Sequence, residues 1–166
     1  MTSITIPKNV TSCGYGWSGL NRGGPLNGAL SLRTVTFEDG IKAIPANVCA
    51  FTTDSYITSV TIPESAGSIG EYAFNKCNSL SEINIPKNVS AIGAEAFCRC
   101  SGMTSVTLNY NDSQINTENN GTQLFALSIG DYAFEECSSL RNVQWTENVV
   151  SIGHHAFLKC TSLASL

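Results

Sequence analysis

The phrase SIGEYAFNKCNSLSEINIP at Ser68–Pro86 constrains this chain more than any other feature, because it returns. It is spelled SAIGAEAFCRCSGMTSVTL at Ser90–Leu108 and SIGDYAFEECSSLRNVQW at Ser128–Trp145. Phe51, Phe74 and Phe97 follow one another at intervals of 23 residues, and Phe134 and Phe157 keep that interval. Cys77 and Cys100 repeat it, as do Cys137 and Cys160, Leu140 and Leu163, and the series Ile57, Leu80, Met103. A unit this short cannot bury its apolar side alone, but stacked copies can, so a fixed period in the twenties predicts coils piled on one shared core. Periods of about 33–34, which would signal helical-hairpin repeats, do not fit.

Each unit divides in two. Val60-Thr61-Ile62, Ile83-Asn84-Ile85, Val106-Thr107-Leu108 and Val143-Gln144-Trp145 alternate apolar and polar residues, and Ile4-Thr5-Ile6 and Val35-Thr36-Phe37 give earlier copies. Alternation of this kind predicts a short strand whose outer residues face the core and whose middle residue faces water. The other half, as in Glu71 to Cys77, places Ala73, Phe74 and Cys77 at helical spacing and predicts a short helical turn. Gly70, Gly93, Gly130 and Gly153 precede these turns, where a tight bend is expected. The fold class is therefore an α/β solenoid with a short parallel strand and a short helical turn per coil of about 23 residues.

The template L-x-x-L-x-L-x-x-N fits as well. Leu80, Ile83, Ile85 and Asn88 match it in order, as do Met103, Val106, Leu108 and Asn111, and Leu140, Val143, Trp145 and Asn148. Gly40 and Ser65 replace the Asn in two units. An Asn at that place is expected to be buried and to bond the backbone of neighbouring coils. The full phrase I-G-x-x-A-F-x-x-C-x-x-L-x-x-I-x-I-P resembles the BspA-like leucine-rich repeats, from about Leu30 to Leu166 and less cleanly from Thr2 to Gly14. That resemblance implies bacterial or protist surface proteins that act in adhesion or host binding. It implies a secreted or cell-surface location, and it carries over no catalytic residue.

Residues 1–166 are expected to form a single solenoid of about six coils, the C-terminal coil incomplete, with an insert at 109–127. The strand step from Ile6 to Phe37 is 31, and Trp17 is expected to take the Phe role of that coil. The step from Phe37 to Ile62 is 25, and that from Phe97 to Phe134 is 37. Insertions in repeat arrays fall in loops on one rim, so the Asn-rich insert reads either as a solvated bulge or as a recognition loop. Leu163-Ala164-Ser165-Leu166 stops where another strand is due. An uncapped end exposes core, so further repeats of the same chain, or end-to-end self-association, are expected partners.

Composition narrows the partners. Charged residues are 13% and the net charge is −4, with no basic cluster, which argues against nucleic acid. The chain has no run of 18 apolar residues, so no membrane insertion is expected, and MTSITIPKNV is not a signal peptide as it stands.

Chemistry is sparse. Cys77, Cys100, Cys137 and Cys160 share one register and read as an inward ladder of small hydrophobes. Cys13 and Cys49 fill other inward slots, and the count of seven admits no fully paired disulfide framework. Cys98 lies outside the ladder and is expected to be the most exposed thiol, the only route to a thiol-dependent enzyme. His154 and His155 are the only histidines; neighbours on a helix do not share a face, so they read as a surface pair. No metal, cofactor or catalytic site is expected, and the chain reads as a non-enzyme. Sequons occur at Asn9, Asn88, Asn111 and Asn120. The template puts Asn9 and Asn88 in buried positions, which leaves Asn120 as the natural acceptor in a eukaryotic secretory route.

The surface that could bind is the outward face of the strands. Thr5, Thr36, Thr61, Asn84, Thr107 and Gln144 form one row, flanked by Ser3, Thr34, Ser59, Glu82, Ser105 and Asn142. Tyr110 is the nearest aromatic. Such a ribbon can make many hydrogen bonds to a protein or a glycan but no strong charge-steered contact. The alternative is a structural spacer, since Thr suits any open strand face.

Overall fold

The computed structural model describes residues 2–14, 23–51, 55–109 and 126–164. Six short strands form the face foreseen from the alternating pattern. They are β1 (Ser3–Ile6), β2 (Thr34–Phe37), β3 (Ser59–Thr61), β5 (Glu82–Ile85), β7 (Ser105–Leu108) and β9 (Asn142–Gln144). Their pairing is parallel and in repeat register: Ile4 beside Val35, Val35 beside Val60, Ile83 beside Val106, Val106 beside Val143. A second row lies elsewhere on each coil: β4 (Ser68–Ile69), β6 (Ala91–Ile92), β8 (Leu127–Ile129) and β10 (Val149–Ile152), again parallel. Ile44 bridges to Ile69 and carries this row one coil further. Leu127, the last residue assigned to the insert, opens β8.

The expected helical turn is not a helix. Between the two rows the backbone makes consecutive tight turns, with Ala73 N–H bonded to Gly70 O, Asn75 to Tyr72 O and Cys77 to Phe74 O. Tyr72 and Lys76 have φ of 55° and 62°, in the left-handed region, and Glu95 with Arg99, Tyr132 with Glu136, and His155 with Lys159 repeat the pair. A left-handed residue every fourth place stops α-helical bonding. The amides between go to the next coil instead: Tyr72 to Ala94 O, Phe74 to Ala96 O and Lys76 to Cys98 O. The apolar spacing of Ala73, Phe74 and Cys77 is met by this turn as it would be by a helix, which is why periodicity alone misreads it.

One core runs through the stack. The rings of Phe74, Phe97, Phe134 and Phe157 are stacked with centroids 5.2 Å apart at each step, and neighbouring planes lie within 15°. Phe51 does not belong to this column. The backbone bond that Phe74 makes to Ala96 is made in the preceding coil by Cys49, to Ala73. Phe51 instead occupies the register of Lys76, bonding Asn75 O as Lys76 bonds Cys98 O. The 23-residue step from Phe51 to Phe74 is therefore a coincidence of sequence, because that coil carries its two extra residues between Phe51 and Ile57. Phe37 meets the column from the side, edge-on to Phe74 at 6.1 Å.

The Cys ladder holds, with a bond not foreseen. Cys100 Sγ donates to Phe74 O, Cys137 Sγ to Phe97 O and Cys160 Sγ to Phe134 O, each at 3.2 Å. The repeated glycines serve close approach rather than unusual dihedrals: among the described residues only Gly28 and Gly40 have left-handed φ. The Asn position is more open than expected. Asn148 is buried, but Asn88 is only half-buried and Asn9 is exposed, so burial does not protect those two sequons. Asn88 does reach back a coil, donating from Nδ2 to Glu64 O at 2.7 Å. Ser65, the replacement in the coil before, accepts from Gly40 N–H at 2.7 Å.

Candidate binding surface

The two polar rows occur as read, but not as one ribbon. Thr5, Thr36 and Thr61 lie side by side on β1–β3, flanked by Ser3, Thr34 and Ser59. Asn84, Thr107 and Gln144 lie side by side on β5, β7 and β9, flanked by Glu82, Ser105 and Asn142. Thr61, Asn84, Gln144, Ser59, Glu82 and Asn142 are exposed; Thr36, Thr107 and Ser105 are half-buried. Tyr110 lies outside the described residues, as do Trp17, Asn111 and Asn120.

Among the described residues, no strand pairing joins β3 to β5, so the face consists of two three-stranded sheets. The same two coils are firmly joined elsewhere. Ser68 and Ile69 pair with Ala91 and Ile92, and the turn amides of Tyr72, Phe74 and Lys76 bond across. The seam is thus a wedge opened on one side only. Two features accompany it. At the strand ends, Glu38 N–H bonds Ile6 O and Asn109 N–H bonds Ile85 O, but the residues at that place in the next units are Pro63 and Pro86, which have no N–H. The longer preceding coil also changes the step from 25 to 23 at this point.

The wedge is a groove of about 350 Å³, lined by Thr58, Ser59, Val60, Glu82, Ile83, Asn84 and Thr107. Ser59, Glu82, Asn84 and Thr107 were singled out by their pattern; Thr58, Val60 and Ile83 were not. Ile83 is buried and Val60 half-buried, which gives the groove an apolar floor under polar walls. Asn109 Nδ2 donates to Asn84 Oδ1 at 2.9 Å and fixes that amide. Glu82 is the single charged lining residue. On the β2 side, Thr58 Oγ1 donates to Arg33 O, and the Arg33 guanidinium lies 5.1 Å from the centroid of the Tyr56 ring, which is 46% exposed. An exposed Tyr backed by Arg is the pairing that interfaces favour, and strand alternation could not reveal it because both residues precede their strands.

Cys98, expected to be exposed, is 2% exposed. Burial, then the neighbouring Glu95 and Glu135 carboxylates, push its thiol up to about 12. Cys98 follows the core Phe97 in a turn whose outer side is covered by Glu135, toward which its Sγ points at 3.8 Å. Burial also raises Cys49, Cys77, Cys100 and Cys137, with Cys160 up to about 11. All seven cysteines are free. His154 and His155 are exposed with ring centroids 3.8 Å apart, beside Tyr132. Among the described residues no group of three or more His, Cys, Asp or Glu could hold a metal. On the turn rim Glu136 bridges Arg99 at 2.9 Å and Lys159 at 2.5 Å, an exposed ladder that offers no open charge cluster. No helix among the described residues is long and apolar enough to cross a membrane.

Comparison with known proteins agrees with the fold. Residues 26–121 and 126–166 match the model of the BspA type leucine rich repeat region, in six copies. A leucine-rich repeat protein of T. pallidum is 22% identical, with a TM-score of 0.54, over 98% of this chain and 84% of that one. A leucine-rich repeat protein of Bacteroides ovatus is 23% identical, with a TM-score of 0.56, over 99% of this chain and 48% of that one. This chain thus spans about half of the second protein's length. No curated protein matches the sequence. Repeat period, strand register and family model agree, and the chain belongs to the BspA-type leucine-rich repeat family.

Proposed function

We propose that this chain is a non-enzymatic binding module of a cell-surface or secreted protein, engaging a partner protein or glycan through its polar strand face. One observation carries the reading. That face is the side of the stack that presents rows of hydroxyl and amide groups in fixed register, and it opens into a groove between β3 and β5. A rigid array of neutral hydrogen-bonding groups binds by complementarity rather than by steering, so the complex is insensitive to salt. The surface location rests on the family's character. The alternative, a spacer that holds other segments of a longer protein, makes no use of the groove.

The test is capture of purified glycoproteins on an array, each printed intact and enzymatically deglycosylated. Capture that persists in 1 M salt (roughly a 3 Å screening length) and is lost when Thr61, Asn84 and Thr107 are changed together to Arg supports the reading. No capture, or capture indifferent to the triple variant, leaves the spacer.

A further inference from the structure

We infer that the groove between β3 and β5 is a subsite for one neutral sugar unit of a glycan; this rests on the binding role proposed above. A wedge between two unpaired strands could take either a ligand laid on the face or a peptide strand slipped between them. The second is excluded by the joints on the other sides. Inserting a strand needs the flanking strands about 10 Å apart, twice the spacing of about 4.8 Å in a paired sheet. The coils carrying β3 and β5 are held at pairing distance by Ser68–Ala91, Ile69–Ile92 and the three turn bonds from Tyr72, Phe74 and Lys76. These joints oppose the widening that an inserted strand would need.

Its size and lining select the occupant. A volume of about 350 Å³ is at the small end of ligand sites and suits a single ring. Hydroxyls on Ser59 and Thr107 donate and accept, that of Thr58, its proton given to Arg33 O, accepts, the Asn84 amide does both, and the Glu82 carboxylate only accepts. A sugar presents several hydroxyls, each donor and acceptor, around a ring with apolar C–H faces. Those faces match the Val60 and Ile83 floor. Glu82 requires donors opposite it and repels anions, so sialylated and sulfated units are disfavoured.

The experiment uses the whole chain on an array of neutral and sialylated oligosaccharides, with thermal midpoints confirming that each variant folds. Capture by neutral oligosaccharides is expected. Ser59→Trp, which fills the groove from an exposed strand position, should weaken capture at least about tenfold, and Glu82→Gln by about tenfold, the loss of one charge-assisted hydrogen bond. Ser151→Trp, exposed on β10 in the second row of strands and outside the polar face, should leave it unchanged. Preference for sialylated units, or loss with Ser151→Trp but not Ser59→Trp, overturns the proposal. So does undiminished capture of deglycosylated proteins with no oligosaccharide bound, which leaves the binding role intact with a protein partner. Absence of all capture counts against the binding role itself.

Discussion

At the scale of single residues, glycine separates two physical demands that sequence cannot tell apart. Gly28 has φ of 86° with nothing within 4 Å of where a Cβ would sit. Gly130 has an ordinary φ, but a Cβ there would lie 2.8 Å from Ala94 N and 2.8 Å from Gly93 C, backbone atoms that cannot swing aside. Gly28→Ala should cost about 1 kcal/mol, the left-handed penalty of an L-residue. Gly130→Ala should cost about 3 kcal/mol or more, because it pushes one coil off the next. Urea denaturation midpoints of the two variants decide the order; the reverse order would remove close coil contact as the reason for the repeated glycine.

The thiols make a second residue-scale prediction. Cys98 and Cys160 have folded values of about 12 and 11 against an ordinary 9.0. Below pH 9 both states keep the protons and no difference arises. Between 9 and about 11 the unfolded chain loses protons that the folded chain retains, so stability falls as pH rises, by about 1.4 kcal/mol per pH unit for each thiol. The gap between urea midpoints at pH 8 and pH 10 should therefore narrow, without closing, when both residues are changed to Ala, because buried Cys49, Cys77, Cys100 and Cys137 keep the same pH dependence. At pH 8 a thiol reagent should modify half-buried Cys13 first, and the six buried thiols only on unfolding. Fast native labelling of Cys98 would reopen a thiol chemistry.

At the scale of elements, the phenylalanine column is held by both neighbours except at its end. Phe97 is fully buried between Phe74 and Phe134, whereas Phe157 is half-buried with Phe134 and Trp145 as its ring partners. Phe97→Ala should cost about 4 kcal/mol, a large core deletion plus two lost stacks, and Phe157→Ala about half of that. Chemical denaturation resolves the difference; equal costs would mean that the rings do not act as a column. Legibility differs by element for physical reasons. The strands of the polar face were plain because three alternating residues with β-branched ends have no competing reading. The second row was missed because Ser68–Ile69 and Ala91–Ile92 are two residues long, too short for any period. The turn was misread because Tyr72 and Lys76 are side chains that give no sign of a left-handed backbone.

At the scale of the whole molecule, what the sequence cannot display is a joint. Each repeat names its own inward and outward residues, so the two polar rows were legible unit by unit. The groove belongs to no unit. It arises where a 25-residue step meets a 23-residue step and where Pro86 follows the strand, so Thr58, Val60 and Ile83 gained a role only through their neighbours across the seam. The seam also predicts how the stack opens. Thr104 N–H bonds Ser81 O, and Thr58 and Ser59 N–H bond Arg33 O, but no such bond joins Ser81 or Glu82 to Thr58. Amide exchange follows local opening, and an amide at an unpaired strand edge exchanges without any opening of the stack. The amides of Ser81 and Glu82 should therefore exchange at least about a hundredfold faster than those of Thr104 and Ser59. Those of Tyr72, Phe74 and Lys76, on the same two coils, should stay as protected as the rest of the core. Native-state exchange followed by NMR reads each amide separately. Uniform protection across β3 and β5 would mean that the wedge closes in solution, and the groove would lose its standing as a site.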